Sequence, residues 1–213
     1  MATNEQIDFW QGDFGKAYTF RNSRNQEEWD QFHRDTWGLT KIAMYEQFIS
    51  HLPKNSRILE VGSNTGMQLA GLQRMGFTQL YGVEIQPDAV ELSKKYLDHV
   101  NIISGSGFDI PFKDNYFDLV FTSGVLIHIA PENLPVIMAE MVRCSRRYVL
   151  GFEYYSETTR SINYRGHDGF LWKADYSQLF QEQFPQLSLV KKEFYKYVKD
   201  DNVDTMYLLE KKH

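Results

Sequence analysis

Short apolar runs rich in β-branched residues alternate with helical stretches along residues 57–152, and that alternation leaves few folds open. Arg57 to Val61, Gln79 to Val83 and Tyr116 to Phe121 each read as a buried strand bounded by turn signals. Between the first two, Met67 to Met75 carries Leu69, Leu72 and Met75 at helical spacing and stops at Gly76. After the second, Pro87 to Leu97 begins with proline at an N1-like position. Asn101 to Ile103 is a further short strand, Glu132 to Cys144 an amphipathic helix behind Pro131, and Arg147 to Phe152 a fifth strand. The pattern predicts a doubly wound α/β domain, a parallel sheet covered on both faces.

Beyond Tyr154 the alternation stops. A polar, aromatic segment, Ser156 to Lys173, precedes a helix near Ala174 to Phe184. Leu187 to Tyr197 and Thr205 to Glu210 then read as a closing antiparallel pair joined by the turn-prone Lys199 to Asn202. Met1 to Gly38 is polar and aromatic with little periodicity and reads as an arm or lid over a single domain at 39–213. Trp10, Trp29 and Trp37 are expected there as packing anchors.

Composition narrows the function. With 23 Lys and Arg against 28 Asp and Glu, the net charge of −5 argues against a nucleic-acid partner. No apolar run approaches the roughly 20 residues that span a bilayer. No secretory leader is visible in Met1 to Gln11, so a cytoplasmic location and no membrane partner are expected. Cys144 is the single cysteine, which excludes a disulfide within the chain, and its neighbours Met141 and Val142 mark it as core. No paired His or carboxylate motif with ligand spacing stands out, so no metal is expected.

The most informative stretch is Arg57-Ile58-Leu59-Glu60-Val61-Gly62-Ser63-Asn64-Thr65-Gly66, a strand that breaks into a glycine-bearing turn and then a helix. Gly62 would admit a ligand close to the backbone, Gly66 would let the helix pack tightly, and the N–H groups of the helix start are expected to face the ligand. Glu84 ends the next strand, where an acidic side chain can accept both ribose hydroxyls of an adenosine-type cofactor. A dinucleotide fingerprint needs glycine at its first, third and sixth positions, but from Gly62 these are Gly62, Asn64 and Met67. Glu60 would also repel a pyrophosphate, since like charges about 4 Å apart cost about 4 kcal/mol at an effective dielectric of about 20. The same carboxylate attracts an ammonium group. An acidic turn therefore favours S-adenosylmethionine, which has an ammonium and a sulfonium and no phosphate, over NAD or ATP.

Glu60-Val61-Gly62-Ser63-Asn64-Thr65-Gly66, Glu84-Ile85, and Ile110-Pro111-Phe112 through Phe117-Asp118-Leu119-Val120 together resemble the class I S-adenosylmethionine-dependent methyltransferases, over Ser56 to about Phe152. The resemblance implies a Rossmann-like, seven-stranded sheet with parallel strands and one C-terminal antiparallel strand. It implies Glu60 and Gly62 near the methionine moiety, on a turn completed by Asn64 and Gly66. It also implies Glu84 on the ribose hydroxyls, Ser106 and Gly107 beside the adenine, Ile85 and Phe108 in the same cofactor site, and Thr122 and Ser123 lining the pocket. Two positions depart from the family pattern. Asn64 replaces its middle glycine, which asparagine's tolerance of left-handed geometry makes mild, and Ser106 replaces an aspartate that usually meets the adenine amine.

Within the arm, Phe9-Trp10-Gln11-Gly12-Asp13-Phe14-Gly15-Lys16-Ala17-Tyr18-Thr19-Phe20-Arg21-Asn22 is similar to the start of methylases associated with pseudaminic acid biosynthesis. That resemblance implies a nonulosonic-acid precursor as substrate and places Tyr18, Arg21 and Asn22 in the site. Candidate bases for an alcohol acceptor are His167, His128 and Asp168, in that order. Tyr154, Arg165, Trp172 and Lys173 are candidates for substrate binding: the cations for a carboxylate or phosphate, the indole for stacking. His128 also has a plain reading as a helix-face histidine satisfied by a backbone carbonyl. The expected reaction is methyl transfer to an oxygen or nitrogen of a small molecule. A tRNA or protein methyltransferase, or a catalytically silent binding module, are the alternatives.

Overall fold

The computed structural model describes residues 5–22 and 25–212. In chain order the elements are α1 (Glu5–Gln11), α2 (Asp13–Asn22), α3 (Gln26–Trp37), α4 (Lys41–Ile49), β1 (Arg57–Val61), α5 (Met67–Arg74), β2 (Gln79–Glu84), α6 (Pro87–Tyr96) and β3 (Val100–Ser104). They continue with β4 (Phe117–Ser123), α7 (Leu134–Cys144), β5 (Ser145–Tyr154), β6 (Arg160–Ser161), β7 (Trp172–Lys173), α8 (Tyr176–Gln183), β8 (Leu187–Lys196) and β9 (Val203–Lys211).

The main sheet has seven strands in the order β3-β2-β1-β4-β5-β9-β8, and β9 runs against both its neighbours. Successive residues of a strand face opposite sides, so neighbours in β1 part company. Ile58 packs with Met44, Tyr45, Phe48 and Leu69 of α4 and α5, whereas Leu59 packs in the cluster of Met138, Met141 and Phe180 from α7 and α8. This is the doubly covered sheet predicted from the alternation of strands and helices. Cys144 lies fully buried in the second cluster, as its apolar neighbours suggested.

The arm departs from expectation, because its described residues are helical rather than aperiodic. The reason lies in how α2 packs: its buried positions are Gly15 and Thr19, a stripe too small to register as hydrophobic. A Cβ on Gly15 would stand 1.8 Å from the Trp10 carbonyl oxygen, so only glycine lets α1 and α2 approach this closely. α3 is delimited by a capping box, with the Asn25 side chain accepting from Glu28 N at 2.9 Å and Asn25 N donating to the Glu28 carboxylate at 3.0 Å. Gly38 closes it at φ 76°. α7 starts at Leu134 rather than Glu132, because Ala130 to Asn133 form a turn closed by Asn133 N donating to Ala130 O at 2.8 Å. Within Ser156 to Lys173, β6 and β7 form a two-stranded ribbon.

α1 to α3 lie over the carboxyl ends of the parallel strands. The Gln86 amide group donates towards the carbonyls of Trp10, Gln11 and Gly12 at 3.2–3.3 Å. Asn64 Nδ2 donates to Thr19 Oγ1 at 3.3 Å, and Trp37 Nε1 donates to Asp204 Oδ2 at 3.0 Å. No helix among the described residues is long and apolar enough to cross a membrane.

Candidate active site

A cavity of about 380 Å³ opens between the arm and the carboxyl edge of the sheet. Open α/β sheets bind ligands at this edge, where the strands hand over to loops. The turn after β1 forms its floor. Gly62, Asn64 and Gly66 all take positive φ, at 74°, 47° and 81°. Glycine meets that geometry without strain, and asparagine tolerates it.

The N–H groups of the turn itself, ahead of α5, are satisfied within the protein. Gly62 and Ser63 donate to Val83 O, Asn64 to Glu84 Oε2, Thr65 to its neighbour's Asn64 Oδ1, and Gly66 to Ser63 O. Turn amides satisfied internally are not available to cradle a phosphate. Gly66 serves packing instead, since a Cβ there would come within 2.4 Å of Leu97 and 2.6 Å of Ile102.

Two buried carboxylates flank the turn. Glu60 is 2% exposed, and its Oε2 has no hydrogen-bond partner among the described residues. Burial, reinforced by the neighbouring charge of Glu84, raises its pKa well above the ordinary carboxylate value. A cationic ligand group placed against that oxygen would satisfy it and favour its ionised form. Glu84 accepts Asn64 N and Gln86 N, each at 2.7 Å, one on each oxygen. Burial raises its pKa while those amides oppose the shift, and each oxygen keeps a second lone pair for a ligand hydroxyl. Ser106, Gly107 and Phe108 also line the cavity, with Phe108 N donating to Ser106 Oγ at 3.1 Å. A Cβ on Gly107 would stand 2.8 Å from Ile137 and 2.9 Å from Val61, so this wall stays flat only with glycine.

Of the other residues singled out from the sequence, Tyr18, Asn22, Ile85, Ser123, His128 and Tyr154 line the cavity. Ser123 Oγ accepts from Gln68 Nε2 at 3.1 Å. Thr122 is fully buried beside it and does not line the cavity. Arg21 is exposed, stacked on Tyr18 with its guanidinium carbon 5.7 Å from the ring.

His128 is held by a 2.7 Å bond between Nδ1 and Phe170 O, so Nδ1 is the protonated nitrogen. Burial lowers its pKa to about 4, and its ring contacts Trp10 and Tyr164. This geometry agrees with the plain reading of a histidine satisfied by a backbone carbonyl.

The structure does not bring the 165–173 candidates to the cavity. His167 is exposed and packs against Phe9 and Phe14 on the outside of the arm. Asp168 is exposed and accepts from Asn163 Nδ2 at 2.8 Å. Arg165 is exposed in a left-handed turn at φ 53°. Trp172 and Lys173 are buried in the β6–β7 ribbon, where the Lys173 ammonium donates to Asn202. An indole enclosed by its own chain offers no stacking face, and this ammonium already has a partner.

Other lining residues carried no sequence motif. Lys41 opens α4 and is 1% exposed; its ammonium stands 3.0 Å from the Phe152 ring centroid. Burial lowers its pKa to about 7, against the raising influence of Asp204, Glu153 and Glu60. Asp204, at the start of β9 opposite Tyr154, is 1% exposed, and burial raises its pKa to about 7. Its Oδ2 accepts from Trp37 Nε1 and from Tyr197 OH at 3.2 Å, whereas Oδ1 has no partner among the described residues. Glu153 points to the other face of the sheet, accepts Val125 N and Ile127 N at 3.3 and 3.4 Å, and is raised by burial to about 7.

Residues 59–148 match the family described as a methyltransferase domain. The matched span runs from β1 to β5 and contains the glycine turn, Glu84 and the wall formed by Ser106, Gly107 and Phe108. A curated protein-L-isoaspartate O-methyltransferase of Gloeobacter violaceus is 24% identical over 133 residues, which cover 60% of this chain and 62% of that protein. A solved S-adenosylmethionine-dependent methyltransferase from Leishmania major superposes with a TM-score of 0.68 at 21% identity, covering 97% of this chain and 87% of that one. A methyltransferase from Haloferax volcanii, solved in complex with the activator Trm112, gives 0.70 at 14% identity, covering 99% and 98%. The structural likenesses establish the fold. The match over residues 59–148 is to a methyltransferase domain, and within that span the unpartnered Glu60 oxygen and the Glu84 carboxylate have the chemistry to meet an ammonium group and a pair of hydroxyls.

Proposed function

We propose that this protein transfers a methyl group from S-adenosylmethionine to an oxygen or nitrogen of a small molecule. The observation that carries the proposal is Glu60 Oε2, a buried carboxylate oxygen without a partner at the turn after β1, with Glu84 across the same cavity. When bound, the cofactor supplies a methyl group on a sulfonium that leaves as a neutral thioether.

The chain's residues hold and align. Glu60 receives the ammonium, Gly62 lets the ligand approach the backbone, and Glu84 takes the ribose hydroxyls. Ser106 to Phe108 flank the adenine. Tyr18 and Asn22, on α2, close the cavity from the arm, which acts as a lid and shuts water out. Alignment of acceptor, methyl and sulfur supplies much of the rate in a displacement of this kind. His128 sets the shape of the wall and takes no proton, being a weak base in this setting. His167, Asp168, Arg165, Trp172 and Lys173 lie off the cavity and are left out of the acceptor site, while Tyr154 stays in it.

For the acceptor, the arm's Phe9 to Asn22 segment supports a nonulosonic-acid pathway sugar intermediate. The Gloeobacter relative favours a second reading, a carboxylate on a protein. Calorimetry with S-adenosylmethionine and S-adenosylhomocysteine on the wild type, Gly62→Arg and Glu84→Ala tests the cofactor site. Micromolar binding lost in both variants is expected; no binding to the wild type would end the enzyme reading. Methyl transfer to nucleotide sugars, set against isoaspartyl peptides, then separates the two acceptors.

A further inference from the structure

Part of the cavity lining comes from elements outside the matched domain: α3, the start of α4, strand β9 and the connection between β8 and β9. Lys41, Trp37, Tyr197 and Asp204 meet there with Phe152 and Tyr154 of β5. The paired positions Tyr154 and Asp204 share one face of the sheet, and Phe152 lies two residues along on the same face. The Trp37 ring stands 5.4 Å from that of Phe152 and 5.3 Å from that of Tyr197, and Tyr154 is 6.3 Å from Tyr197. These four rings make a box with one acidic floor group and one basic wall group.

Both groups are buried, and neither is neutralised by direct pairing. Among the described residues no carboxylate lies within ion-pair distance of the Lys41 ammonium, which rests on the Phe152 ring. Asp204 spends Oδ2 on Trp37 and Tyr197, which orient the carboxylate, and leaves Oδ1 unpaired in a 1% exposed residue. A buried acceptor atom left unpaired costs about 1–3 kcal/mol, a cost that a ligand donor at Oδ1 would remove.

Resting on the methyltransferase reading above, we infer that this box is the acceptor subsite. It takes a hydroxylated ring whose reacting hydroxyl donates to Asp204 Oδ1, while Lys41 donates to a second oxygen of the same ring. Aromatic walls suit both a planar phenolic ring and the apolar face of a sugar, so the shared chemistry is a ring carrying neighbouring oxygens. In the transfer, Asp204 Oδ1 takes the hydroxyl proton as the acceptor oxygen bonds to the methyl carbon, and the sulfur keeps the electron pair of the bond that breaks. Asp204 then returns the proton to solvent. A carboxyl raised by burial to about 7 is matched to taking a proton near neutral pH.

The test uses the full chain loaded with S-adenosylhomocysteine and two probes, catechol and N-acetylglucosamine, titrated by saturation-transfer NMR. At least one probe is expected to bind the wild type, at least tenfold more weakly to Asp204→Asn, and more weakly to Lys41→Met. Affinity for S-adenosylhomocysteine should stay within about twofold in Asp204→Asn. The probe that binds decides between phenol and sugar. Should Asp204→Asn fail to fold, the Asp204 carboxyl carbon resonance of the wild type serves instead, and it must shift when the probe binds. Probes that ignore both variants and leave that resonance unmoved, or that do not bind at all, overturn the subsite. Absence of S-adenosylhomocysteine binding would instead overturn the methyltransferase reading beneath it.

Discussion

The amide of Asn64 donates to Glu84 Oε2 at 2.7 Å, tying the glycine turn after β1 to the end of β2. One carboxylate therefore orders the turn and faces the cavity. Glu84→Ala removes both the acceptor for two backbone amides and the group proposed to take the ribose hydroxyls. Hydrogen bonds to charged groups contribute roughly 1.5–3 kcal/mol each. Affinity for S-adenosylhomocysteine should fall at least tenfold, with a lower Tm. Unchanged affinity by calorimetry would remove Glu84 from the site.

Glu60 carries its own pH signature. Burial and the Glu84 charge raise its pKa in the free protein, and an ammonium against Oε2 must lower it again. Cofactor binding should then release a proton, so affinity rises with pH until the free carboxyl is already ionised. The calorimetric enthalpy of binding should differ between phosphate and Tris buffers near neutral pH. Equal enthalpies in the two buffers would mean that Glu60 does not meet the ammonium.

Glu153 predicts the pH dependence of stability. Its folded pKa is raised to about 7, above the ordinary carboxylate value in the unfolded chain. Between those values the folded state holds the extra proton, so this group's contribution to stability is lost as pH rises through that window. Glu153→Gln does not titrate, and its Tm relative to wild type should climb by several degrees between about pH 4.5 and pH 7.5. A constant difference across this range would contradict the buried, raised carboxyl.

Gly62 adopts φ 74°, and a Cβ there would stand 2.7 Å from Val125 Cγ2. Left-handed geometry costs a non-glycine residue about 1–2 kcal/mol, before any displacement of Val125. Gly62→Ala should lose at least that much stability in urea unfolding and bind S-adenosylhomocysteine more weakly. Wild-type values for both would show that neither the turn nor its ligand needs the glycine.

Gln86 fastens the arm, because its buried amide faces three successive carbonyls at the junction of α1 and α2. Gln86→Leu should leave the sheet intact while loosening that contact. Faster proteolysis within residues 5–40 and a severalfold faster release of S-adenosylhomocysteine are the expected readings. Equal rates would assign the arm a purely structural role.

The strands of the sheet, the glycine turn and the Glu60 and Glu84 positions were legible in the sequence. They rest on short-range rules: alternation, breaker residues, and an acidic side chain at a strand end. The helical arm was less legible because it packs through Gly15, Thr19 and backbone carbonyls rather than through an apolar stripe. The 165–173 cluster had suitable side chains, but tertiary packing turned its charges outward and buried its indole. Lys41 and Asp204 show the converse. Each stands alone in its own stretch of sequence, and only the pairing of β9 with β5 and the packing of α4 across Phe152 bring them, 163 positions apart in the chain, into one cavity. The sequence determined the sheet and the glycine turn with its two carboxylates, since short-range rules along the chain build them. Tertiary structure decided the end of the cavity where Lys41 and Asp204 meet, because desolvation and the meeting of distant charges exist only once the chain has closed.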